Sequence, residues 1–161
     1  MPSKLKVGDV FEISLSDGTK AYGQFLGKHP MMGELVWIFD LTTHDEVDPD
    51  VLMSKLEGAA IRLGPVFTVL SPTVRDGTWR VIGRLPVKED FAFPCFLSVV
   101  SISGETLTPW KLWDGERDIV LGRKLPAEYK GLEMLVIWSP LSLVQRIETG
   151  ENRYKDIIEK G

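Results

Sequence analysis

The strongest constraint on this fold lies near the N-terminus, where Phe11, Ile13 and Leu15 alternate with Glu12 and Ser14. That two-residue period marks a strand with one buried face. Ser16-Asp17-Gly18-Thr19 interrupts the run, and a second apolar stretch, Ala21 to Leu26, follows it. Asp-Gly accepts the positive φ that a tight reversal demands, so the two runs predict an antiparallel hairpin with one face to bury. The covering elements have to come from downstream. Leu35-Val-Trp-Ile-Phe-Asp-Leu41 opens with five consecutive apolar residues and predicts a central strand. Trp37, inside that run, is assigned to the core.

Asp48-Pro49-Asp50 predicts a helix start, with Asp48 as N-cap and Pro49 at the first helical position. Leu52 and Leu56 would share the buried face of that helix, and Gly58 would end it. Further strands are predicted over Val66–Leu70, Trp79–Leu85, Leu97–Ser103, Thr106–Leu112, Asp118–Leu121 and Met134–Trp138. Asp76-Gly77 and Ser103-Gly104 are the expected turns among them. Ser139-Pro140 would open a late helix with Leu141, Val144 and Ile147 inward and Gly150 as its stop. A short amphipathic turn would follow around Tyr154, Ile157 and Ile158. The fold class that results is α+β, mainly antiparallel β. It is a twisted sheet or partial barrel opening with an SH3-like hairpin, carries one or two helices, and spans 1–161 as a single domain.

With 161 residues, 43% of them hydrophobic and 26% charged, the chain can bury a globular core. Cys95 is the one cysteine, so an intrachain disulfide is ruled out. No apolar stretch has signal-peptide length at the N-terminus, and none reaches the roughly 18 to 20 residues of a membrane span. A cytoplasmic location is the expectation. The net charge of −4, from 19 basic and 23 acidic residues, argues against general nucleic-acid binding. Between Glu34 and Glu57, seven acids face a single base, Lys55, so this stretch carries −6 and the remainder +2.

The catalytic inventory is sparse. No phosphate-cradling glycine loop is present, and His29, His44 and Cys95 lack zinc-site spacing. Cys95 lies in the apolar run Phe91 to Leu97 and reads as a small buried hydrophobe. His44-Asp45 has the form of an oriented base, but a surface pair fits it as well. No catalytic residue, metal or cofactor is therefore expected. Asp45, Glu46, Asp48 and Asp50 form the densest charge in the chain. A helix N-terminus accounts for Asp48 and Asp50 through the macrodipole but leaves Asp45 and Glu46 unexplained. A solvated loop and a partner-binding surface both fit the four; a calcium loop fits less well, because the glycine turn is missing. Trp110 and Trp113 are an odd number of residues apart and so point to opposite faces of a strand, with one expected at an edge or exposed.

Three segments together resemble a known family. They are Lys6-Val-Gly-Asp-Val-Phe-Glu-Ile through Gln24, Gly77-Thr-Trp-Arg-Val-Ile-Gly-Arg-Leu-Pro86, and Gly131-Leu-Glu-Met-Leu-Val-Ile-Trp-Ser-Pro140. In this order and spacing, over about residues 4 to 147, they resemble the immunity protein 26 family of bacterial polymorphic toxin systems. The resemblance implies a non-catalytic cytoplasmic protein that binds and blocks a cognate toxin domain without naming the toxin; the acidic stretch would suit one with a basic cleft, such as a nuclease. Direct nucleic-acid or membrane binding is not part of it. The motif positions Gly8, Asp9, Tyr22, Gly23, Trp79, Gly83, Pro86 and Trp138 read as scaffold, with the glycines and Asp9 at turns or bulges and the tryptophans packed. Asp45, Glu46, Asp48 and Asp50 are the candidate partner contacts. Two other classes stay open: a β-barrel module that binds a peptide in an aromatic groove, and a hydrolase that brings His29 or His44 to carboxylates in a pocket.

Overall fold

A computed structural model describes residues 4–161, which group into two compact units, 4–91 with 137–149 and 92–136 with 150–161. The first unit is built on a six-stranded sheet. Its strands are β1 (Asp9–Ser14), β2 (Lys20–His29), β3 (Gly33–Thr43), β4 (Ile61–Thr68), β5 (Arg80–Arg84) and a late strand, β11 (Ile137–Trp138). The spatial order is β11-β4-β3-β2-β1-β5, and the sheet does not close into a barrel. Every pairing is antiparallel except β11 with β4.

The β1–β2 hairpin forms as its sequence predicts. Gly18 has φ +87°, Leu15 N–H donates to the Thr19 carbonyl, and the Asp17 carboxylate accepts from the Thr19 amide and hydroxyl. β3 lies between β2 and β4 and is buried continuously from Glu34 to Phe39. Helix α1 (Pro49–Glu57) follows, with Asp48 accepting from Asp50 N–H at 2.9 Å. Leu52 and Leu56 pack with Val10, Tyr22 and Phe39. Val47, just before the cap, joins the same cluster as Leu52, which anchors the chain's entry into the helix. Gly58 ends α1 in a right-handed conformation, φ −90°.

Elsewhere in this unit the structure corrects the sequence reading. The strand drawn over Val66–Leu70 stops at Thr68, and Leu70 instead begins a short helix, α2 (Leu70–Arg75). The Glu34 carboxylate caps it, accepting from Ser71 N–H at 2.8 Å. Glu34 is therefore buried and does not belong to an acidic surface. Helix α3 (Pro140–Thr149) starts as expected, but it buries Leu143 and Ile147. Leu141 is 69% exposed, because two helical positions turn it about 200° away from Leu143. Gly150 ends α3 at φ +73°, and Arg62 donates to the Ile147 carbonyl.

The second unit holds a three-stranded sheet in the order β10-β9-β6 and a separate β7–β8 hairpin. The elements are β6 (Phe96–Ser98), β7 (Ser101–Ile102), β8 (Glu105–Thr106), β9 (Trp110–Trp113), β10 (Asp118–Gly122) and a final helix, α4 (Lys155–Lys160). Ser103 and Gly104, both at positive φ, make a two-residue reversal. The two long strands expected over 97–103 and 106–112 are each broken in two. Val100 N–H donates to the Thr108 hydroxyl and Leu107 N–H to the Val100 carbonyl, while Pro109 has no N–H to give a ladder. The strand expected over Met134–Trp138 is reduced to Ile137–Trp138, and Met134 forms a lone bridge to Leu97. Trp110 and Trp113 do point to opposite faces of β9, but neither is exposed: Trp110 is 0% and Trp113 9% accessible. Trp110 packs with Leu97, Leu125 and Ile158, and Trp113 with Phe93 and Phe96, so both faces of β9 are covered, although Ile119 and Val120 on the neighbouring edge strand stay exposed.

Candidate functional site

The four candidate carboxylates sit on the corner that joins β3 to α1. Asp45, Glu46, Asp48 and Asp50 are all exposed. Asp48 is occupied as the cap, and Asp50 lies in the first turn, where the helix dipole favours an acid. Neither Asp45 nor Glu46 is tied into a hydrogen bond or ion pair among the described residues. The corner is flanked by the β2–β3 ladder up to Thr43 and by α1 with its packed Leu52 and Leu56. Nearby, Asp17 is held below the ordinary carboxylate range, first by the Thr19 hydroxyl, then by the Thr19 amide, with a smaller contribution from His44.

The two histidines stand at opposite ends of one ladder, and His44 is the one near carboxylates. His29 stands at one end of the β2–β3 ladder, where Gly33 is its partner, and His44 follows Thr43 at the other. The His29 Nδ1 accepts from Met31 N–H, so it serves the turn. Cys95 is half-buried against the core of the second unit. Among the described residues there is no group of three or more His, Cys, Asp or Glu side chains placed to hold a metal ion. No helix among them is long and apolar enough to cross a membrane.

The motif positions are spread over the six-stranded sheet and its ends. Gly8 has φ +96°, and a Cβ there would come within 2.5 Å of the Leu85 carbonyl oxygen. Asp9 accepts from Lys6 N–H at 2.8 Å and from Arg84 Nε at 3.0 Å. These bonds tie the entry of β1 to the exit of β5. Tyr22 is buried, and its hydroxyl lies 2.8 Å from Thr43 Oγ1. Gly23 lies under the Phe11 ring, which stacks on Trp79 at 5.5 Å between centroids. Gly83 makes room for the tip of Met53, Pro86 is exposed just past β5, and Trp138 is buried with the Arg146 guanidinium 4.9 Å over its ring.

The hub of this scaffold is Gln24, a residue the sequence reading passed over. Its Nε2 donates to the Leu85 carbonyl at 2.8 Å and the Gly8 carbonyl at 3.3 Å, and its Oε1 accepts from Trp37 Nε1 at 2.9 Å. The signal was present: an amide in the apolar run Tyr22-Gly-Gln-Phe-Leu26 either breaks the strand or is satisfied inside it.

A sequence model of the immunity protein 26 family matches residues 6–105, more than half of the chain. The chain belongs to the immunity protein 26 family. The match contains the first two of the three motif segments, from the β1–β2 hairpin through β5, and ends inside the β7–β8 hairpin. The third segment, residues 131–140, lies beyond it. Neither a curated protein nor a solved structure matches the chain. Immunity proteins of this family are generally non-catalytic, and the family implies a cognate toxin as partner.

Proposed function

We propose that this protein, acting as one unit over residues 1–161, binds a co-encoded toxin domain in the cytoplasm and blocks it, with no catalysis of its own. The family match over residues 6–105 carries the reading. In this proposal the toxin contact includes Asp45, Glu46, Asp48 and Asp50, which are all exposed on the β3–α1 corner. A toxin with a basic substrate cleft, such as a nuclease, is the partner chemistry that such a surface fits. Fixed complementary charge speeds capture of that partner and competes with phosphates for its cleft.

The test uses the toxin domain from the neighbouring reading frame and a variant with Asp45→Asn, Glu46→Gln, Asp48→Asn and Asp50→Asn. Asn still caps a helix, so the variant should melt within about 1 kcal/mol of the parent. Its association rate at low salt should fall at least tenfold, and the salt dependence of that rate should flatten, since steering is screened over about 8 to 10 Å at physiological ionic strength. Equal capture by parent and variant at low salt would reduce the corner to a solvated face. Failure of the toxin to bind the parent would remove the immunity reading itself.

A further inference from the structure

The carboxylates of the β3–α1 corner border a groove that the scaffold leaves unfilled. Helix α1 covers Val10, Tyr22 and Phe39 on the sheet, but the edge strand β5 beside it keeps Val81 and Ile82 half-exposed. Between them lies an open cavity of about 300 Å³, walled by Val47, Leu52, Met53 and Ile82, with Glu12 and Arg80 on the strand side. That volume is at the small end for ligand sites and suits a single side chain. Glu12 is paired with Lys20 at 3.1 Å and Arg80 at 3.4 Å. Those three side chains leave one positive charge, which the corner outweighs: Val47 and Pro49, both lining the cavity, alternate in sequence with the three carboxylates Glu46, Asp48 and Asp50. An apolar floor under an acidic rim is complementary to an apolar side chain flanked by cations.

We propose that this groove is the anchor of the toxin contact, taking one Leu, Ile, Met or Phe side chain from a toxin segment whose neighbouring residues are Lys or Arg. The inference rests on the toxin-binding reading above and adds a division of labour within the surface. The corner carboxylates set the rate of encounter, and the groove sets how long the complex lasts. Desolvated anchors in pockets carry most of the energy of such contacts, while rim charges chiefly affect association.

The experiment measures association and dissociation of the full-length protein with the toxin domain from the neighbouring reading frame. It compares the parent with Met53→Trp, which fills the groove, and with Met53→Leu, which does not. Met53→Trp should raise the dissociation rate at least tenfold and leave the association rate and its salt dependence unchanged; Met53→Leu should stay within twofold of the parent. If the parent binds and Met53→Trp, melting like it, dissociates no faster, the groove is not the anchor although the toxin reading stands. If the parent does not bind, both proposals fail. Should Met53→Trp melt lower than the parent, amide shift mapping of the parent with the same toxin decides. Perturbations centred on Met53, Val81 and Ile82 support the groove, and a map that spares them overturns it.

Discussion

Gly23→Ala tests whether the family's glycine motif is a packing device. Gly23 and Phe11 are cross-strand partners in the β1–β2 ladder, and Phe11 is fully buried. A Cβ at position 23 would lie 2.3 Å from Phe11 Cζ and 2.7 Å from Cε2, where ordinary contact begins at 3.4 Å. The ring must move by about 1 Å, yet Trp79 is stacked on it at an interplanar angle of 15° and is itself buried. Overpacking of a filled site costs about 1 to 3 kcal/mol, and with no free direction for the ring the upper end applies. For a chain of this size, about 3 kcal/mol lowers Tm by roughly 6 to 12 °C. Phe11→Leu removes the obstructing ring, so in that background Gly23→Ala should cost under about 1 kcal/mol, a coupling of about 2 kcal/mol in the double-mutant cycle. Urea and thermal melts followed by circular dichroism measure all four proteins. A Gly23→Ala variant that melts within about 2 °C of the parent, or costs that simply add, would refute the packing argument.

Gln24→Leu strands the Trp37 indole N–H and the Leu85 carbonyl, while the Gly8 carbonyl keeps the Leu85 N–H, and should cost about 2 kcal/mol as a lower urea midpoint with unchanged m-value; a loss below about 0.5 kcal/mol would mean the hub is idle. Stability should also fall in acid, because hydrogen bonds from Thr19 to Asp17, from Thr78 to Asp76, and from Arg117 and Glu116 to Asp114 hold these carboxyls below their ordinary 3.8. A depressed folded pKa gives stabilisation that is complete above the unfolded value and lost as pH falls through the folded one. The triple variant Asp17→Asn, Asp76→Asn, Asp114→Asn should therefore show a shallower decline of Tm below pH 4 than the parent, and parallel curves would remove these turns from the acid response.

Elements whose determinants are local in sequence were legible. The β1–β2 hairpin, the buried run of β3, α1 with its Asp48 cap and the strand β5 each carry their signal within about ten residues. Where the determinant is distant or made by side chains, the reading went astray. Helix α2 has six residues and no side-chain cap of its own, and its cap arrives from Glu34 on another strand. The second unit is made of strands of two to five residues, too short for a period to declare itself, and Thr108 replaces part of a ladder. Leu141 looked inward because its spacing from Val144 and Ile147 suits a helix face, yet Leu143 and Ile147 fit the same period and won the core.

The candidate site was legible in a different sense. Charge density drew the eye to Asp45, Glu46, Asp48 and Asp50, but burial separates residues that charge counting lumped together: Glu34 belongs to the fold, Asp48 to the helix, and Asp45 and Glu46 to neither. The segments that resemble the family consist chiefly of residues with structural work, Gly8 and Asp9 at the β1–β5 junction and Gly23 and Trp79 around Phe11. Such residues identify a scaffold and say little about what it binds. Side chains without a structural bond can change with the partner at almost no cost to folding, whereas Asp48 can change only to another capping side chain without weakening its helix. On the proposed binding mode, specificity is therefore free to vary at Asp45 and Glu46, and around the half-exposed groove beside them, while the β1–β2 hairpin stays as it is.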